Sequence, residues 1–554
     1  MERGARETVR TLRTGLSRLA YGNPLYTLTL GRNGPRDLVL VPPDPWPGDA
    51  EKGSALLGGC YAFAGQTVRS DAPLWSPVGA GADFVAELHG FDWLRDLRAL
   101  SGDAARRQAR FLVGHWIDRH DRWDGLTWRP DILGARIANW LGGHDFFCAS
   151  ADDQFRLTMF ASLSRQATHL ARAAPGELAG APLLVAAKGL VYAALCLPGD
   201  PGRLEDALGI LDRELRRQVL ADGGHVQRNP DVHLALLRHL IDLRGLLRLA
   251  HLRDPEVTVP ESLQHAIDRM TPALRFHRHG DGLLCLFNGS GEADRVMIDA
   301  VMTHADAKGR PLKSARHSGF ERVQAGRALV LMDAGDPPPP GFDPGAHAGT
   351  LSFELSFGRE RMIVNCGAWP GPAEGREGAA WAMALRGTAA HSTVTVADRN
   401  SSALIEDGGL ERRAKVTLER SEIEGDTLID ASHDGYRPGL GVTHRRRLYV
   451  SAEGDDVRGE DSLEGPADIA FDIRFHLHPG VRVSAVQSGE QALIRLPSGV
   501  GFRLYADGAP VKVEESVYFG AKGERRRSQQ IVLSGVTDGQ GAPVKWAIRQ
   551  EPRG

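Results

Sequence analysis

The sequence lacks the features that mark membrane, nucleic-acid-binding or disulfide-rich proteins. Its five cysteines are scattered over 554 residues without a CxxC pair, so neither a disulfide framework nor a zinc finger is expected. Sixty-seven basic residues against 70 acidic ones leave a net charge of −3, which provides no general attraction to nucleic acid. Lysine is scarce, since it accounts for eight of the 67 basic residues and leaves 67 − 8 = 59 arginines.

Long hydrophobic runs are also rare. The first 22 residues, MERGARETVRTLRTGLSRLAYG, are basic and contain no continuous apolar stretch, so no secretory signal is predicted and a cytoplasmic location is expected. Residues 178–199 carry a single charge, Lys188, and are long enough to span a bilayer. The central Lys188 together with Pro182 favours a buried core helix instead. The sequence therefore predicts no integral membrane segment.

Two different hydropathy patterns divide the chain. From about residue 85 to 275, apolar residues recur at helical spacing, and short connections contain Gly, Pro and Asp, which indicates paired helices in a ring or solenoid. We predict helices at 106–120, 132–140, 152–172, 182–197, 203–220, 231–249 and 261–275. After residue 280 the apolar residues form short, often alternating segments between turn residues, which is typical of an antiparallel sandwich. We predict strands at 328–332, 350–357, 361–364, 392–396, 415–420, 443–450, 469–475, 481–486, 492–496 and 530–533.

Several segments of the second half carry a family resemblance. They are AHAGTLSFELSFGRERMIVNCGAW at 346–369, RGTAAHSTVTVADRNSS at 386–402, HDGYRPGLGVTHRRRLYV at 433–450 and FHLHPGV at 475–481. Together with HGFDWLRDL at 89–97 and GGHVQRNPDVHLALLRHLIDLR at 223–244, this pattern resembles the heparinase II/III-like polysaccharide lyases. The resemblance implies an α+β multidomain chain, in which an incomplete (α/α) toroid precedes an antiparallel β-sandwich. We place a region of undefined structure at 1–84, the toroid at 85–280 and the sandwich at 281–554.

The resemblance also implies a chemistry. Lyases of this family cleave a uronic-acid polysaccharide by β-elimination, in which the substrate carboxylate is neutralised, a base removes the C5 proton and an acid protonates the departing oxygen. No external cofactor is required. The chain departs from the family at three places: Ala181-Pro182 replaces an Asn-His pair, Val232-His233 replaces a Tyr-His pair, and Gly345 replaces a histidine. Either other residues perform the elimination, or the chain does not perform it.

Replacement residues are available in the helical half and near residue 436. His225 has a near-neutral intrinsic pKa suited to a base, His233 matches a family position, and Tyr436 is a candidate acid/base tyrosine. Arg228 is suited to clamp a carboxylate, and Asn229 to donate an amide hydrogen bond to substrate. The alternatives are an ordinary loop histidine for His225, a surface ion pair for Arg228 and a helix N-cap for Asn229.

Further candidates come from both halves. The family resemblance implies a structural zinc bound by His347, His391 and Asn365, although an amide is a poorer zinc ligand than the carboxylate usual at the third position. The alternative for the two histidines is hydrogen bonding without metal. In the toroid, substrate contacts are expected from a polar pair and a tryptophan at one helix, namely Arg136, Asn139 and Trp140. The basic run 445–447 fits either an anionic sugar chain or an exposed strand.

The leading hypothesis is therefore a lyase-like protein that cleaves an acidic polysaccharide or oligosaccharide and has no nucleic-acid partner. The sequence does not define its oligomeric state. A carbohydrate-binding or cell-envelope protein with altered catalytic residues is the first alternative. A glycoside hydrolase using Asp222 and Asp231 is the second. The family resemblance favours the periplasm or cell envelope as the location, in contrast to the missing signal peptide.

Overall fold

The computed structural model describes residues 19–31, 34–200, 202–371, 375–406, 408–486, 489–521 and 524–552. Most of the segment on which the absence of a signal peptide was judged, residues 1–18, lies outside the described residues. The chain forms two compact units, one from residues up to Gln218 with Leu236–Ile267, the other from Val219–Ala235 with Asp268 onward. Two helices contribute residues to both units. This division differs from the predicted boundaries because residues 219–235 group with the second half of the chain.

Helices dominate the first unit and recur in the second. They are α1 Pro24–Thr29, α2 Ala50–Leu57, α3 Ala82–Gly90, α4 Leu94–Leu100, α5 Gly102–His120, α6 Pro130–Gly142, α7 His144–Phe147, α8 Asp153–Ala173, α9 Ala181–Cys196, α10 Gly202–Gln218, α11 Pro230–His251, α12 Glu261–Phe276, α13 Arg295–Ala305, α14 Gly375–Arg386 and α15 Arg437–Leu440. A short 3₁₀ helix covers Thr388–Ala390.

Sequence-local signals set the ends of the toroid helices, and tight packing joins them. Pro130 occupies the first turn of α6, and the Asp152 side chain caps α8 by accepting from Phe155 N at 2.8 Å. α9 packs against α6 and α10. A Cβ on Gly189 would lie 2.3 Å from Gly134 Cα, so glycine is required where α9 approaches α6. Each of the seven predicted helices is present, with ends that differ by a few residues.

The prediction that residues 178–199 form a buried core helix is confirmed for α9. Leu183, Leu184 and Val191 are buried along this helix, and Lys188 is buried with them. No helix among the described residues is long and apolar enough to cross a membrane.

Strands form most of the second unit, and one further hairpin lies near the start of the chain, in the first unit. They are β1 Cys60–Phe63, β2 Gln66–Arg69, β3 Ser314–Ala315, β4 Phe320–Ala325, β5 Ala328–Asp333, β6 Phe353–Phe357, β7 Glu360–Val364, β8 Val394–Val396, β9 Ala403–Leu404, β10 Leu410–Arg412, β11 Val416–Ile423, β12 Asp426–Tyr436, β13 Val442–Val450, β14 Asp456–Glu464, β15 Ala467–Leu477, β16 Arg482–Val486, β17 Gln491–Arg495, β18 Gly501–Asp507, β19 Val511–Tyr518, β20 Arg526–Asp538 and β21 Val544–Gln550.

Two antiparallel sheets enclose the main core of the second unit. One has the order β11-β12-β13-β14-β21-β18-β17-β16, and the other has the order β19-β20-β15-β7-β6-β5-β4-β3, with β8 paired to β15. Phe353 of the second sheet stacks on Trp546 of the first, with ring centroids 5.5 Å apart and an interplanar angle of 7°. Side chains from both sheets share one buried apolar cluster. The predicted sandwich is confirmed.

The alternation of side chains along β13 sends the three arginines at 445–447 to opposite faces of the sheet. Arg446 points into the sandwich and is fully buried, where it forms an ion pair with Asp461 at 2.7 Å. Arg445 and Arg447 point the other way and both bind Asp430. The run is therefore neither one basic surface nor one exposed strand, because a β-strand sends successive side chains to opposite faces.

Candidate functional site

Asn229, one of the predicted site residues, lies at the start of helix α11. Asn229 caps this helix, since its Oδ1 accepts from the backbone N–H of Asp231 at 2.8 Å and of Val232 at 3.0 Å. Its Nδ2 donates to the carbonyl oxygen of Asn288 at 2.8 Å. The N-cap alternative for Asn229 is thus the one the geometry supports, and the same amide also fixes the loop that begins at Asn288.

Arg228, predicted as a carboxylate clamp, already holds a carboxylate of the chain. Its guanidinium donates to Asp333 Oδ1 at 2.5 Å and to the carbonyl oxygens of Ser318 at 2.6 Å and Gly319 at 3.0 Å. Both charged side chains are buried, and burial raises the pKa of Asp333 despite the neighbouring arginine. Arg228 and Asp333 therefore form a buried ion pair. The sequence suggested a surface ion pair or a substrate clamp, because nothing in it indicates Asp333 as the partner.

The three predicted catalytic residues are all buried, with at most 2% of each exposed. Burial lowers the pKa of His225 to about 3 and that of His233 to about 4, so both are neutral at pH 7. His233 Nε2 donates to the carbonyl oxygen of Met270 at 2.8 Å. Tyr436 donates its hydroxyl to the carbonyl oxygen of Val394 at 2.6 Å, and burial raises its pKa above the ordinary value. His225 Nδ1 accepts from Gln227 N at 3.4 Å. Each of the three side chains is therefore bound into the fold.

His347 and His391 do come together, and their hydrogen bonds define their tautomers. His391 Nδ1 lies 2.8 Å from the carbonyl oxygen of Gly387 and must donate to it, so a neutral His391 has an unprotonated Nε2. That atom lies 3.1 Å from His347 Nδ1 and accepts its proton. Burial, the largest cause, lowers the pKa of both rings, that of His391 to about 4. His347 is thereby left with an unprotonated Nε2.

The free nitrogen of His347 faces a small space above Gly289. A Cβ placed on Gly289 would lie 3.2 Å from His347 Nε2, 3.1 Å from the carbonyl oxygen of Gly345 and 3.6 Å from Asn229 Nδ2. Glycine at 289, with φ of +83°, keeps this space open. An unprotonated imidazole and a carboxamide are therefore within reach of one small group. We call His347, His391, Asn229 and Gly289 the histidine cluster.

The donors near the histidine cluster do not fit a zinc ion. Asn365 uses its Oδ1 to accept from Ser392 N at 3.0 Å and its Nδ2 to donate to Glu354 Oε1 at 3.2 Å. The two imidazoles supply one facing nitrogen each, whereas a structural zinc takes four donors. Within the described ranges, no group of three or more His, Cys, Asp or Glu side chains is arranged to hold a metal ion.

Tyr518, which the sequence analysis does not single out, lies at the end of β19 and contacts the loop that begins at Asn288. Tyr518 donates its hydroxyl to Glu292, and His478 Nε2 lies 4.0 Å from Glu292 Oε1. Asp231, proposed from the sequence for a hydrolase pair, accepts from Gly291 N at 2.8 Å through Oδ2. Asp222 accepts from Ser318 N at 2.7 Å. Both aspartates thus bind backbone amides, and no sequence signal links Tyr518 to residues more than 200 positions earlier.

A polar cavity opens at one edge of the sandwich, beside β3, β4 and β11. It has a volume of about 750 Å³ and is lined by residues that include Ser314, Arg316, His317, Glu419 and Arg420. Within the described part of the chain, the exposed side chains of Arg316, His317 and Glu419 make no hydrogen bond or ion pair. Arg420 is different, since it is bound to the buried Glu321 at 2.8 Å. Volumes of this size are typical of small-molecule sites.

The predicted toroid contacts belong to the first unit and are buried there. Arg136 donates to Gln166 Oε1 at 2.8 Å and to two carbonyl oxygens, and its guanidinium lies 4.1 Å from the ring centroid of Trp116. Burial lowers its pKa to about 9. Asn139 accepts from Arg95 at 3.0 Å, and Trp140 is fully buried. All three side chains are therefore packed inside the first unit.

A helical toroid followed by a two-sheet sandwich defines the architecture of the toroid-type polysaccharide lyases, and the comparisons agree. Residues 110–307 match the model of the heparinase II/III N-terminus, and residues 307–547 match the heparinase II/III-like C-terminal model. The chain belongs to the heparinase II/III-like family. The predicted family and fold class are confirmed.

Among similar proteins, FtsZ-localized protein C of Caulobacter vibrioides is 33% identical over 95% of this chain and 93% of its own length. A crystal structure of heparinase III superposes with a TM-score of 0.72 at 14% identity, over 88% of this chain and 80% of that one. Heparan sulfate lyase HepC from Pedobacter heparinus superposes with a TM-score of 0.61 at 16% identity, over 91% and 83%. At these identities the two enzymes show a shared fold.

Proposed function

We propose that this protein is a binding member of the lyase family, which holds an acidic oligosaccharide without cleaving it by the family's usual elimination. The observation that carries this proposal is the contrast between two sets of side chains. His225, His233 and Tyr436 are buried and bound into the fold. Arg316 and His317, by contrast, are exposed on the lining of a polar cavity of about 750 Å³.

Arg316 is the group on this lining that is suited to bind an acidic sugar. A guanidinium binds a carboxylate through two parallel hydrogen bonds, and Arg316 has no internal partner among the described residues to compete for it. Glu419 and Ser314 on the same lining can accept hydrogen bonds from sugar hydroxyls. Arg420 remains with Glu321 and Glu422, so it sets the wall of the cavity and adds little free positive charge.

Binding measurements with matched variants test this assignment. Titration of the protein with a tetrasaccharide of uronic acid should show saturable binding, and Arg316→Ala should weaken it by about tenfold or more, as expected for loss of a charge-assisted pair. Arg359→Ala is the matched control, because Arg359 is an exposed arginine in the turn between β6 and β7 and outside the cavity lining. Equal affinities for Arg316→Ala and wild type would contradict the cavity assignment.

The relative from Caulobacter supports a proposal for location. A name that places that protein with FtsZ, at 33% identity over nearly the whole of both chains, supports a role for this chain where FtsZ assembles. A fluorescent fusion expressed with labelled FtsZ in the native organism should form a band that coincides with FtsZ. A uniform distribution in dividing cells would contradict the proposal.

Elimination by other residues is the second candidate, and the histidine cluster favours it. The unprotonated Nε2 of His347 is a base that could take a proton from a group above Gly289, and Asn229 Nδ2 could donate toward the same group. This candidate predicts a rise in ultraviolet absorbance from an unsaturated uronate product. The rise should disappear in His347→Ala and persist in Arg359→Ala.

A further inference from the structure

The outer face of the eight-stranded sheet carries an ordered row of side chains. The register places Leu428, Tyr449, Arg458, Ala547 and Tyr505 opposite one another on β12, β13, β14, β21 and β18. Neighbouring strands are 4.7–4.9 Å apart, so Tyr449 and Tyr505, three strands apart, are separated by roughly 14 Å. Leu428 and Tyr505 are 38% and 39% exposed, so both side chains are accessible on this face.

A second row lies two residues along each strand, on the same face. Its members alternate in charge across the sheet: Asp430, Arg447, Glu460, Lys545 and Asp507. Arg447 binds Asp430 at 3.1 Å and Glu460 at 3.0 Å. In the described residues, Lys545 and Asp507 have no such partner. The row therefore presents both donors and acceptors while its formal charge nearly cancels.

All members of the two rows except Asp430 line a cavity of about 470 Å³. Ala547 lies between the two tyrosines and makes a low point in the first row. Tyr449 is fixed in place, because its hydroxyl donates to Asp426 at 2.6 Å and the Arg458 guanidinium lies 5.4 Å from its ring centroid. A ring that is already ordered loses little conformational entropy when a ligand packs on it.

We propose that this face binds a linear, neutral, hydroxyl-rich oligosaccharide that lies across the strands. Pyranose rings present C–H faces that pack on aromatic rings, so one sugar would lie on Tyr449 and another on Tyr505. Vicinal hydroxyls donate to carboxylates and accept from ammonium or guanidinium groups, which the second row supplies in alternation. Because acidic and basic side chains alternate and nearly cancel in charge, this face offers a polyanion little net attraction.

The test uses the full chain and soluble hexasaccharides of β-1,4-linked glucose and of β-1,4-linked N-acetylglucosamine. Isothermal titration should show binding of at least one of them, with little dependence on salt because the ligand is uncharged. Tyr505→Ala should weaken it by about tenfold or more. Tyr505→Phe should bind within about twofold of wild type, since the ring is kept.

Two control variants separate this proposal from its alternatives. Arg495→Ala changes an exposed outward residue of β17 on the same sheet and should leave neutral-glycan binding unchanged. Arg316→Ala should also leave it unchanged, while weakening uronate binding. Failure of both neutral hexasaccharides to bind, or equal affinity of Tyr505→Ala and wild type, overturns the proposal whatever happens at the Arg316 cavity.

Discussion

Lys188, the only charged residue of helix α9, forms a buried ion pair whose removal tests how the first unit is stabilised. Lys188 Nζ lies 2.5 Å from Asp242 Oδ2, and the two side chains are 4% and 3% exposed. Asp242 also accepts from Trp46 Nε1 at 2.5 Å, and Lys188 lies 3.3 Å from His239 Nδ1. Burial lowers the pKa of Lys188, which is the expected response of a desolvated ammonium.

Lys188→Met should leave the buried Asp242 carboxylate without its main counter-charge. Removing one partner of a buried ion pair costs about 3–5 kcal/mol, and the nearby Arg95 and Arg238 place the expected value at the lower end, near 3 kcal/mol. The double variant Lys188→Met/Asp242→Leu should recover most of that loss, because replacing both partners by apolar groups is often close to neutral.

Hydrogen–deuterium exchange of peptides from 181–196 measures this effect locally, which avoids treating a chain of two units as a two-state system. A loss near 3 kcal/mol corresponds to about a hundredfold faster exchange in Lys188→Met. A single variant that exchanges within about threefold of wild type would refute the buried-pair account. So would a double variant that exchanges as fast as the single one.

Three further outcomes follow from the structure. Burial lowers the pKa of His391 to about 4, whereas histidine in an unfolded chain has a pKa near 6.5. The unfolded state therefore binds the proton first, and stability falls as the pH drops from about 6.5 toward 4. The urea midpoint should be lower at pH 5 than at pH 7, and equal midpoints would contradict this. Gly189→Ala should destabilise α9 by about 1–3 kcal/mol, because its Cβ meets the backbone of Gly134, and a melting temperature at or above wild type would count against that packing. Tyr436→Phe should lose about 1 kcal/mol of stability with its hydrogen bond to Val394, with uronate binding retained; lost binding at full stability would instead point to a functional hydroxyl.

Local patterns in the sequence were sufficient for the elements and the family. Helical periodicity predicted seven of the helices, and alternation predicted ten of the strands. Helices α13 and α14 were not predicted, because both lie within 281–554, where a sandwich of strands was expected. Strands such as β12 and β14 were missed since polar residues also occupy inward positions, such as His433 and Asp461, which weakens the alternation.

The candidate site could be predicted only in part, since it depends on contacts between distant residues. His347 and His391 meet as expected, but the carboxylate that occupies Arg228 comes from Asp333, 105 positions later. Likewise, the partner of Tyr518 is Glu292, 226 positions earlier. A sequence gives side-chain types and local spacing, whereas long-range pairing is set by sheet register and packing.

The central claim is that this chain binds an acidic oligosaccharide but does not eliminate it by the usual route. The most direct measurement follows binding and ultraviolet absorbance in the same sample as uronate oligosaccharides are added to the purified protein. The account predicts saturable binding that depends on Arg316, with no absorbance from an unsaturated product. An absorbance rise that grows with protein concentration and disappears in His347→Ala would contradict the account and establish a lyase with rearranged catalytic residues.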